Sequence, residues 1–254
     1  MGWLEVRAKI LEVPGVRTLA RSLRSLYDPY HRGLLIARLR FPHQLLQPAN
    51  ETLPNRYPEI FALVCRELAK IEEPRILSYG CSTGEEVISL RRLLPTAQIT
   101  GADINPDNIS LCRARFRSAT DPRISFVCCG DPHELPSGNY DAILCLAVLR
   151  HAELERLRPE SCARVLPFAR VEKVVEGLTA RLLPGGLLAI TNCHFRFVDM
   201  DAAGSFETAL ALPEAIRNNE PLYGPDDCLL TDATCGEVVF RKVAPNSSAA
   251  RDLN

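Results

Sequence analysis

The stretch that decides the fold is residues 76–86, which reads ILSYGCSTGEE. It lies where a short apolar run of strand type, Arg75–Tyr79, gives way to a helical pattern over Gly84–Leu94. Gly80 and Gly84 let the backbone turn sharply and come close to a ligand. A tight turn without a ligand needs glycine for the same reason. The stretch alone therefore predicts a strand–turn–helix unit and leaves its ligand open.

The same alternation continues on both sides of this unit. We predict further strands at Gln98–Asp103, Ile124–Cys129, Tyr140–Cys145, Leu187–Asn192 and Gly236–Arg241. The other predicted helices are Pro58–Lys70, a helix that begins at Pro106 after an Asn105 cap, and residues 168–182. Such alternation predicts an α/β fold with a doubly wound, parallel sheet, which binds ligands at the carboxyl ends of its strands.

Acidic residues end the second and third predicted strands. Asp103 follows Gly80 by 23 residues, and a carboxylate there can accept both hydroxyls of an adenosine ribose. A nicotinamide cofactor fits less well, because Glu85 replaces the third glycine of the dinucleotide fingerprint. A glutamate is tolerated near a cation such as an α-ammonium or a sulfonium. Asp131, beside Pro132, can face an adenine amine or simply cap a turn, and both readings stay open.

Four ordered motifs resemble the class I S-adenosylmethionine-dependent methyltransferases, over about residues 56–243. They are residues 76–86, then GADINP at 101–106, YDAILC at 140–145 and LPGGLL at 183–188. The resemblance is closest to the branch that contains the chemotaxis-receptor glutamate methyltransferases. It implies a Rossmann-like, mostly parallel sheet of seven strands and S-adenosylmethionine as cofactor. Residues 145–149 read CLAVL where that branch has CRNVL, and this argues against receptor glutamate as the substrate.

The resemblance also implies which residues contact the cofactor. Tyr79 joins the cofactor wall, and the methionine part is wrapped by Gly80, Cys81, Ser82 and Gly84. Asp103 holds the ribose, Ile104 and Asn105 flank the adenine, and Asp131 with Pro132 faces its edge. Backbone groups of Cys145 and Leu146 reach the amino-acid end.

Candidate catalytic groups follow the fourth and fifth predicted strands. A hydroxyl acceptor needs a base and a carboxylate acceptor needs none, and histidine is the natural base near neutral pH. His151 and His194 are the candidates, although each can equally be a loop or packing residue. Arg150 or Arg196 can pair with a substrate carboxylate. His31 and His43 lie in a predicted lid. The adjacent Cys193 and His194 do not make a tetrahedral site, so we predict no metal.

Charge divides the 254-residue chain, whose formal net charge is −1. Residues 1–58 hold nine basic and four acidic side chains, a net of +5, and the rest of the chain is −6. We predict a basic helical N-terminal segment or lid at 1–58, a catalytic domain at 59–244 and a disordered tail at 245–254. Arg17, Arg21 and Arg24 suit one face of an amphipathic helix, which can bind phosphate or anionic lipid or be merely solvated.

The start of the chain and its ten cysteines bear on location. Residues 1–11 lack the apolar stretch of a signal peptide, and the most apolar stretch, Ala142–Leu149, is too short to span a membrane. The cysteines show no metal-type spacing. We therefore expect reduced, mostly buried thiols in a cytoplasmic protein.

These observations predict a methyltransferase that moves a methyl group to a hydroxyl or carboxylate oxygen of a small molecule or peptide. Methylation of RNA, with the basic segment as the nucleic-acid handle, is an alternative, although no NPPY-type motif follows the fourth strand. A non-catalytic protein that binds S-adenosylmethionine is another. The sequence sets neither the acceptor nor the oligomeric state.

Overall fold

The computed structural model describes residues 28–42, 44–48, 56–117, 121–136, 138–213 and 220–244. The amphipathic helix predicted near residues 17–26, His43 and the predicted tail lie outside these ranges.

Nine strands and six α-helices make up the described chain. The strands are β1 (Arg75–Tyr79), β2 (Gln98–Asp103), β3 (Ile124–Cys128), β4 (Tyr140–Leu146), β5 (Leu182–Thr191), β6 (Phe206–Ala211), β7 (Leu222–Tyr223), β8 (Leu229–Leu230) and β9 (Glu237–Lys242). The helices are α1 (Pro29–Arg40), α2 (Pro58–Leu68), α3 (Glu85–Leu93), α4 (Pro106–Arg117), α5 (Ala152–Leu157) and α6 (Phe168–Ala180).

The main sheet has seven strands in the order β3-β2-β1-β4-β5-β9-β6. Strands β3, β2, β1, β4 and β5 are parallel, and β9 runs antiparallel to both of its neighbours. The predicted Rossmann-like, mostly parallel seven-stranded fold is confirmed. Because β1 pairs with both β2 and β4, the strand order reverses there, and a doubly wound sheet binds its ligand at that point.

Local chemistry explains where the helices beside this point begin. The Asn105 side chain accepts hydrogen bonds from the backbone N–H groups of Asp107, at 2.9 Å, and Asn108, and Pro106 takes the first helical position of α4. Gly84 precedes α3 with φ of +92°, a left-handed conformation that favours glycine. The sequence therefore dictates both helix starts directly.

Two apolar clusters cover the two faces of the sheet. Helices α2, α3 and α4 pack on one face, and α5 and α6 pack on the other. Successive side chains of β1 point to opposite faces, so Ile76 packs in the cluster with α2, α3 and α4, and Leu77 packs in the cluster with α5 and α6. All ten cysteines are free thiols, and five are buried, namely Cys81, Cys112, Cys129, Cys145 and Cys162.

Helix α1 lies across the start of α4. A side chain at Gly33 would clash with the Asn105 amide, so only glycine allows this approach. Arg32 and Asp107 form an ion pair at 2.7 Å, and the Asn105 amide donates to the Tyr30 carbonyl. The helix therefore rests on the residues that follow β2. In the described part of the chain, no helix has the length and apolar character needed to cross a bilayer.

Candidate functional site

A cleft of ≈ 980 Å³, counting the solvent at its mouth, lies at the carboxyl ends of the strands beside the point where β1 meets β4. Its lining combines apolar side chains with a few polar groups, as sites for organic ligands do. Seven of the residues predicted to bind the cofactor line it, namely Tyr79, Gly80, Ser82, Asp103, Ile104, Asn105 and Leu146. The cleft is therefore largely the one that the motifs predict.

The turn after β1 is held by its neighbour strand. The backbone N–H groups of Gly80 and Cys81 both donate to the Ala102 carbonyl, at 2.7 and 2.9 Å. Gly80 has φ of +76°, and a side chain there would clash with Val148. Ser82 also has a positive φ, of 50°, which costs free energy for a residue other than glycine. The turn is thus strained and tightly packed where it borders the cleft.

Asp103 holds that strained turn in place. One carboxylate oxygen accepts from the backbone N–H of Ser82 at 2.8 Å. The other accepts from the N–H of Asn105 at 2.8 Å and from the Asn108 amide at 3.2 Å. Burial raises the pKa of Asp103, and these donors oppose the shift. Three of about four lone-pair positions are occupied, which leaves one for a ligand in the cleft.

The other five predicted cofactor residues do not line the cleft. Four of them are buried: Cys81 and Gly84, which both lie near Cys112, and Cys145 and Pro132. Asp131 accepts from the N–H of His133 at 2.9 Å, so its carboxylate caps a turn. Their roles as cofactor contacts stay predictions, and the cap assigned to Asp131 is the alternative left open above.

Two cleft residues were missed by the sequence analysis. Gln44 lies over the turn after β3, against Gly130 and Ile104, and its side-chain oxygen is buried without a hydrogen-bond partner. A buried acceptor of this kind costs free energy unless a ligand donates to it. Glu86, on the first turn of α3, accepts from the Ser78 hydroxyl at 2.8 Å.

The two adjacent glutamates of α3 point in different directions. Glu85, which the sequence analysis considered, turns away from the cleft to bind the Thr83 hydroxyl and Arg115, each at 2.6 Å. Glu86 lines the cleft, and burial raises its pKa to about 7. The helical period identifies Glu86, because it precedes the buried Leu90 by four residues.

A hydrogen bond joins the far side of the cleft to the end of β5. The Asn192 amide donates to the Tyr57 hydroxyl at 2.8 Å, and burial raises the pKa of Tyr57 to about 12. Tyr57 therefore stays protonated near neutral pH and is a hydrogen-bond donor there. Nothing in the local sequence around either residue signals this contact.

Neither histidine predicted to be catalytic lines this cleft. His194 is fully buried, and its ring nitrogens lie 3.1 Å from the Pro221 carbonyl and 3.2 Å from the His151 carbonyl. Burial lowers the pKa of His194. His151 caps α5, since its Nδ1 accepts from the N–H of Glu153 at 3.2 Å. His31 binds Asp28 at the start of α1. His31, His151 and His194 therefore each make contacts that stabilise the fold. The buried ring of His194, with a carbonyl near each nitrogen, supports no catalytic role for that residue.

The arginines considered for substrate binding are already paired. Arg150 lies 2.7 Å from Glu155 and 2.8 Å from Glu220. Arg196 forms a bidentate pair with Asp199, with both distances 2.7 Å. A paired guanidinium has little charge left for a ligand. Within the described ranges, no three His, Cys, Asp or Glu side chains are grouped to hold a metal ion.

Part of the chain is similar to known proteins. A family model described as "Methyltransferase domain" matches residues 76–167, which run from β1 to the segment after α5. An uncharacterized protein of Synechococcus sp. is 28% identical over 242 residues, which cover 92% of this chain and 49% of that protein. A fatty-acid O-methyltransferase of Mycolicibacterium smegmatis is 32% identical over 131 residues, or 51% of this chain and 40% of that protein.

The chain thus spans about half the length, or less, of these two curated relatives. Among solved structures, the N-methyltransferase NodS of Bradyrhizobium japonicum is similar with a TM-score of 0.47 and 15% identity. The match covers 74% of this chain and 97% of NodS.

Proposed function

We propose that this chain, which carries a methyltransferase domain in residues 76–167, transfers a methyl group from S-adenosylmethionine to an oxygen atom of a small molecule or peptide. The observation that carries the proposal is the strained turn after β1, which the Asp103 carboxylate holds against the start of α4. S-adenosylmethionine supplies a methyl group activated on a sulfonium. The motif resemblance to the chemotaxis-receptor branch supports the same cofactor.

The residues of the cleft fit the parts of this cofactor. Asp103 has one lone-pair position left for a ribose hydroxyl, beside Ile104 and Asn105. The unpartnered oxygen of Gln44 suits the exocyclic amine of adenine, the role that the sequence analysis gave to Asp131. Glu86 supplies a negative charge for the α-ammonium group, next to the glycine turn. Each role uses an atom that the protein itself leaves available.

An oxygen that is already ionised suits the rest of the cleft. Among the described lining residues there is no histidine, and Tyr57 keeps its proton. A carboxylate acceptor requires no proton removal, whereas a hydroxyl does. The likeness to a fatty-acid O-methyltransferase over half of the chain supports oxygen as the acceptor. These residues would then act by positioning the acceptor and excluding water.

Calorimetric titration of the full chain with S-adenosylhomocysteine tests the cofactor assignment. We expect one site, and we expect Gln44→Leu to weaken binding about tenfold, because the amine of the bound ligand loses its acceptor. Gln98→Leu, at an exposed position of β2, is the matched control and should bind as the wild type does. An absence of binding by the wild type would refute the proposal.

A second experiment tests the acceptor atom. The chain is incubated with tritiated-methyl S-adenosylmethionine and a panel of carboxylic acids and alcohols, and the product is then treated with mild base. Methyl esters release tritiated methanol under these conditions, whereas methyl ethers do not. We expect base-labile label. Stable label from alcohols alone would contradict the preference for carboxylates.

A further inference from the structure

A second cavity, of ≈ 570 Å³ with the solvent at its mouth, adjoins the cofactor cleft. Leu45 lines both spaces, so they meet at this residue. The cavity is formed by the end of α1, the segment that follows it, the loop after β4 and α6. Its lining residues are Arg38, Phe41, Leu45, Pro48, His151 and Arg170.

The charged residues described around this cavity are all of one sign. Arg38 and Arg170 line it, and none of the lining residues that the structure describes is acidic. Among the described residues, no carboxylate forms an ion pair with either arginine. Arg170 donates one hydrogen bond to the Leu45 carbonyl at 2.9 Å, and its Nε is buried without a partner. An uncompensated guanidinium so placed costs free energy unless an anion binds there.

The contrast with the neighbouring arginines is informative. Arg150 and Arg196, on the loops after β4 and β5, each have carboxylate partners at 2.7 to 2.8 Å. The described residues therefore supply acids for Arg150 and Arg196, and they supply none for Arg38 and Arg170. Burial lowers the pKa of Arg170, although a guanidinium stays charged near neutral pH.

His151 adds a neutral donor to the same cavity. Because Nδ1 accepts from the N–H of Glu153, the neutral ring carries its proton on Nε2. Burial lowers the pKa of His151, the charges of Glu153 and Glu155 oppose this shift, and those of Arg170 and Arg38 add to it. Two cations and one N–H donor beside apolar walls match a carboxylate or phosphate attached to an apolar body.

We propose that this cavity binds an anionic group, a carboxylate or a phosphate monoester, on an apolar methyl acceptor. This anion is separate from the oxygen that is methylated, and the apolar body between them lies along Phe41 and Leu45 toward the cofactor cleft. Arg38 and Arg170 hold the anion, and His151 donates to it. That the occupant is the methyl acceptor rests on the proposed function. Binding of the anion does not, and it is measured without turnover.

Calorimetry of the full chain with decanoate and with decyl phosphate tests this site. Both should bind, the tighter of the two identifying the favoured anion, and decyltrimethylammonium should not. Arg170→Gln and Arg38→Gln should each weaken binding about tenfold. Arg164→Gln, at an exposed position outside the cavity, should leave it unchanged. Arg170→Gln removes the hydrogen bond to the Leu45 carbonyl and can therefore perturb that loop. Arg38 is exposed, so Arg38→Gln tests the site without that risk.

Two results would overturn the proposal. One is unchanged binding of the decyl anions in both arginine variants. The other is equal affinity for inorganic phosphate and decyl phosphate, which would show that the apolar chain contributes nothing to binding. Titration of the same variants with S-adenosylhomocysteine separates the two proposals. Unchanged affinity for that ligand is expected if the cavity serves the acceptor alone. If the wild type binds the decyl anions and not S-adenosylhomocysteine, the anion site stands and the methyltransferase proposal fails.

Discussion

The two sides of the cleft are held together by contacts of different range. On the cofactor side, formed by the turns after β1 and β2, Asp103 binds Asn105 and Asn108, a few residues along the chain, and Ser82, in the turn after the neighbouring strand. On the acceptor side, formed by the segments after β4 and β5, the contacts join distant parts of the chain. Examples are Tyr57 with Asn192 and His194 with the Pro221 carbonyl.

The difference indicates how each side responds to change. The cofactor side is set by glycines and by hydrogen bonds within and between the turns of two adjacent strands, so a substitution there should act directly on cofactor affinity. The acceptor side depends on the docking of segments far apart in the chain, such as the loop after β4 and the chain at Glu220, which the ion pair of Arg150 with Glu220 joins. A substitution there should lower stability or acceptor binding and leave cofactor affinity nearly unchanged. Four predictions test this division.

The largest effect is expected for Asp103→Ala. Loss of the Asp103 carboxylate releases the strained Ser82 turn and leaves buried N–H donors unpaired. S-adenosylhomocysteine affinity should therefore fall at least ~100-fold, and the free energy of unfolding should fall by about 3 kcal/mol. Calorimetry and urea unfolding measure the two quantities. Asp107→Ala, which removes only the ion pair with Arg32, is the control and should cost under about 1 kcal/mol. Unchanged affinity in Asp103→Ala would disprove the division.

Gly80→Ala comes next, because it adds a clash with Val148 to the cost of a positive φ. We expect a loss of about 2–4 kcal/mol in urea unfolding. Gly185→Ala isolates the backbone cost, since Gly185 has φ of +80° and nothing lies near its missing side chain. That variant should lose about 1 kcal/mol. The double variant Gly80→Ala/Val148→Ala should recover part of the difference, and equal losses in the two single variants would argue against close packing at the turn.

Glu86→Gln should change the pH dependence of stability. The pKa of Glu86 is raised to about 7 in the folded protein from 4.5, so the folded state binds an extra proton between these values. Stability that is present below pH 4.5 is therefore lost as the pH rises through 7. Relative to the wild type, Glu86→Gln should gain on the order of 2 kcal/mol at pH 8 and much less at pH 5.

Thermal or urea unfolding across this range measures the gain, and the exposed Glu72→Gln is the control. Parallel curves for Glu86→Gln and the wild type would contradict the assignment. The same residue links cofactor binding to protons, because an ammonium favours ionised Glu86. Wild-type binding of S-adenosylhomocysteine should release protons near pH 7 and weaken as the pH falls below it. Calorimetry in buffers of different ionisation enthalpy detects the release, which Glu86→Gln should abolish.

The smallest effect is expected on the acceptor side. Tyr57→Phe leaves the Asn192 amide without its acceptor and should cost about 1 kcal/mol of stability. Asn192→Gly removes the other partner and still accepts the φ of +49° at that position. A double-mutant cycle should give a coupling energy of about 1 kcal/mol. If Tyr57→Phe lowered S-adenosylhomocysteine affinity as much as Asp103→Ala does, the division between the cofactor side and the acceptor side would be wrong.

The range of the contacts also decides what the sequence reveals. The cap at Asn105 and the acidic end of β2 are contiguous signals, and both appear in the structure as predicted. Gln44 reaches the cleft only because the chain after α1 folds back over Gly130, which no local pattern encodes. Strand β6 was missed because its side chains are half-buried or exposed, so its apolar alternation is weak.

Helical phase gave an intermediate case. Glu85 and Glu86 are adjacent and chemically identical in the sequence, and only Glu85 replaces a glycine of the dinucleotide fingerprint, so the sequence analysis considered Glu85. Val87 and Leu90 are the buried residues of α3, and Glu86 and Ser89 lie next to that buried face and line the cleft. Arg150 and Arg196 were considered for substrate contact from position alone, and their acidic partners become visible only in three dimensions.

The contact of Gly33 with Asn105 has a thermodynamic consequence. Asn105 starts α4, lines the cleft and carries helix α1 through its contact with the Tyr30 carbonyl. A ligand that orders Asn105 should lower the entropic cost of docking α1, and a docked α1 should lower the entropic cost of binding the ligand. Because such a linkage is reciprocal, each event should favour the other by the same factor.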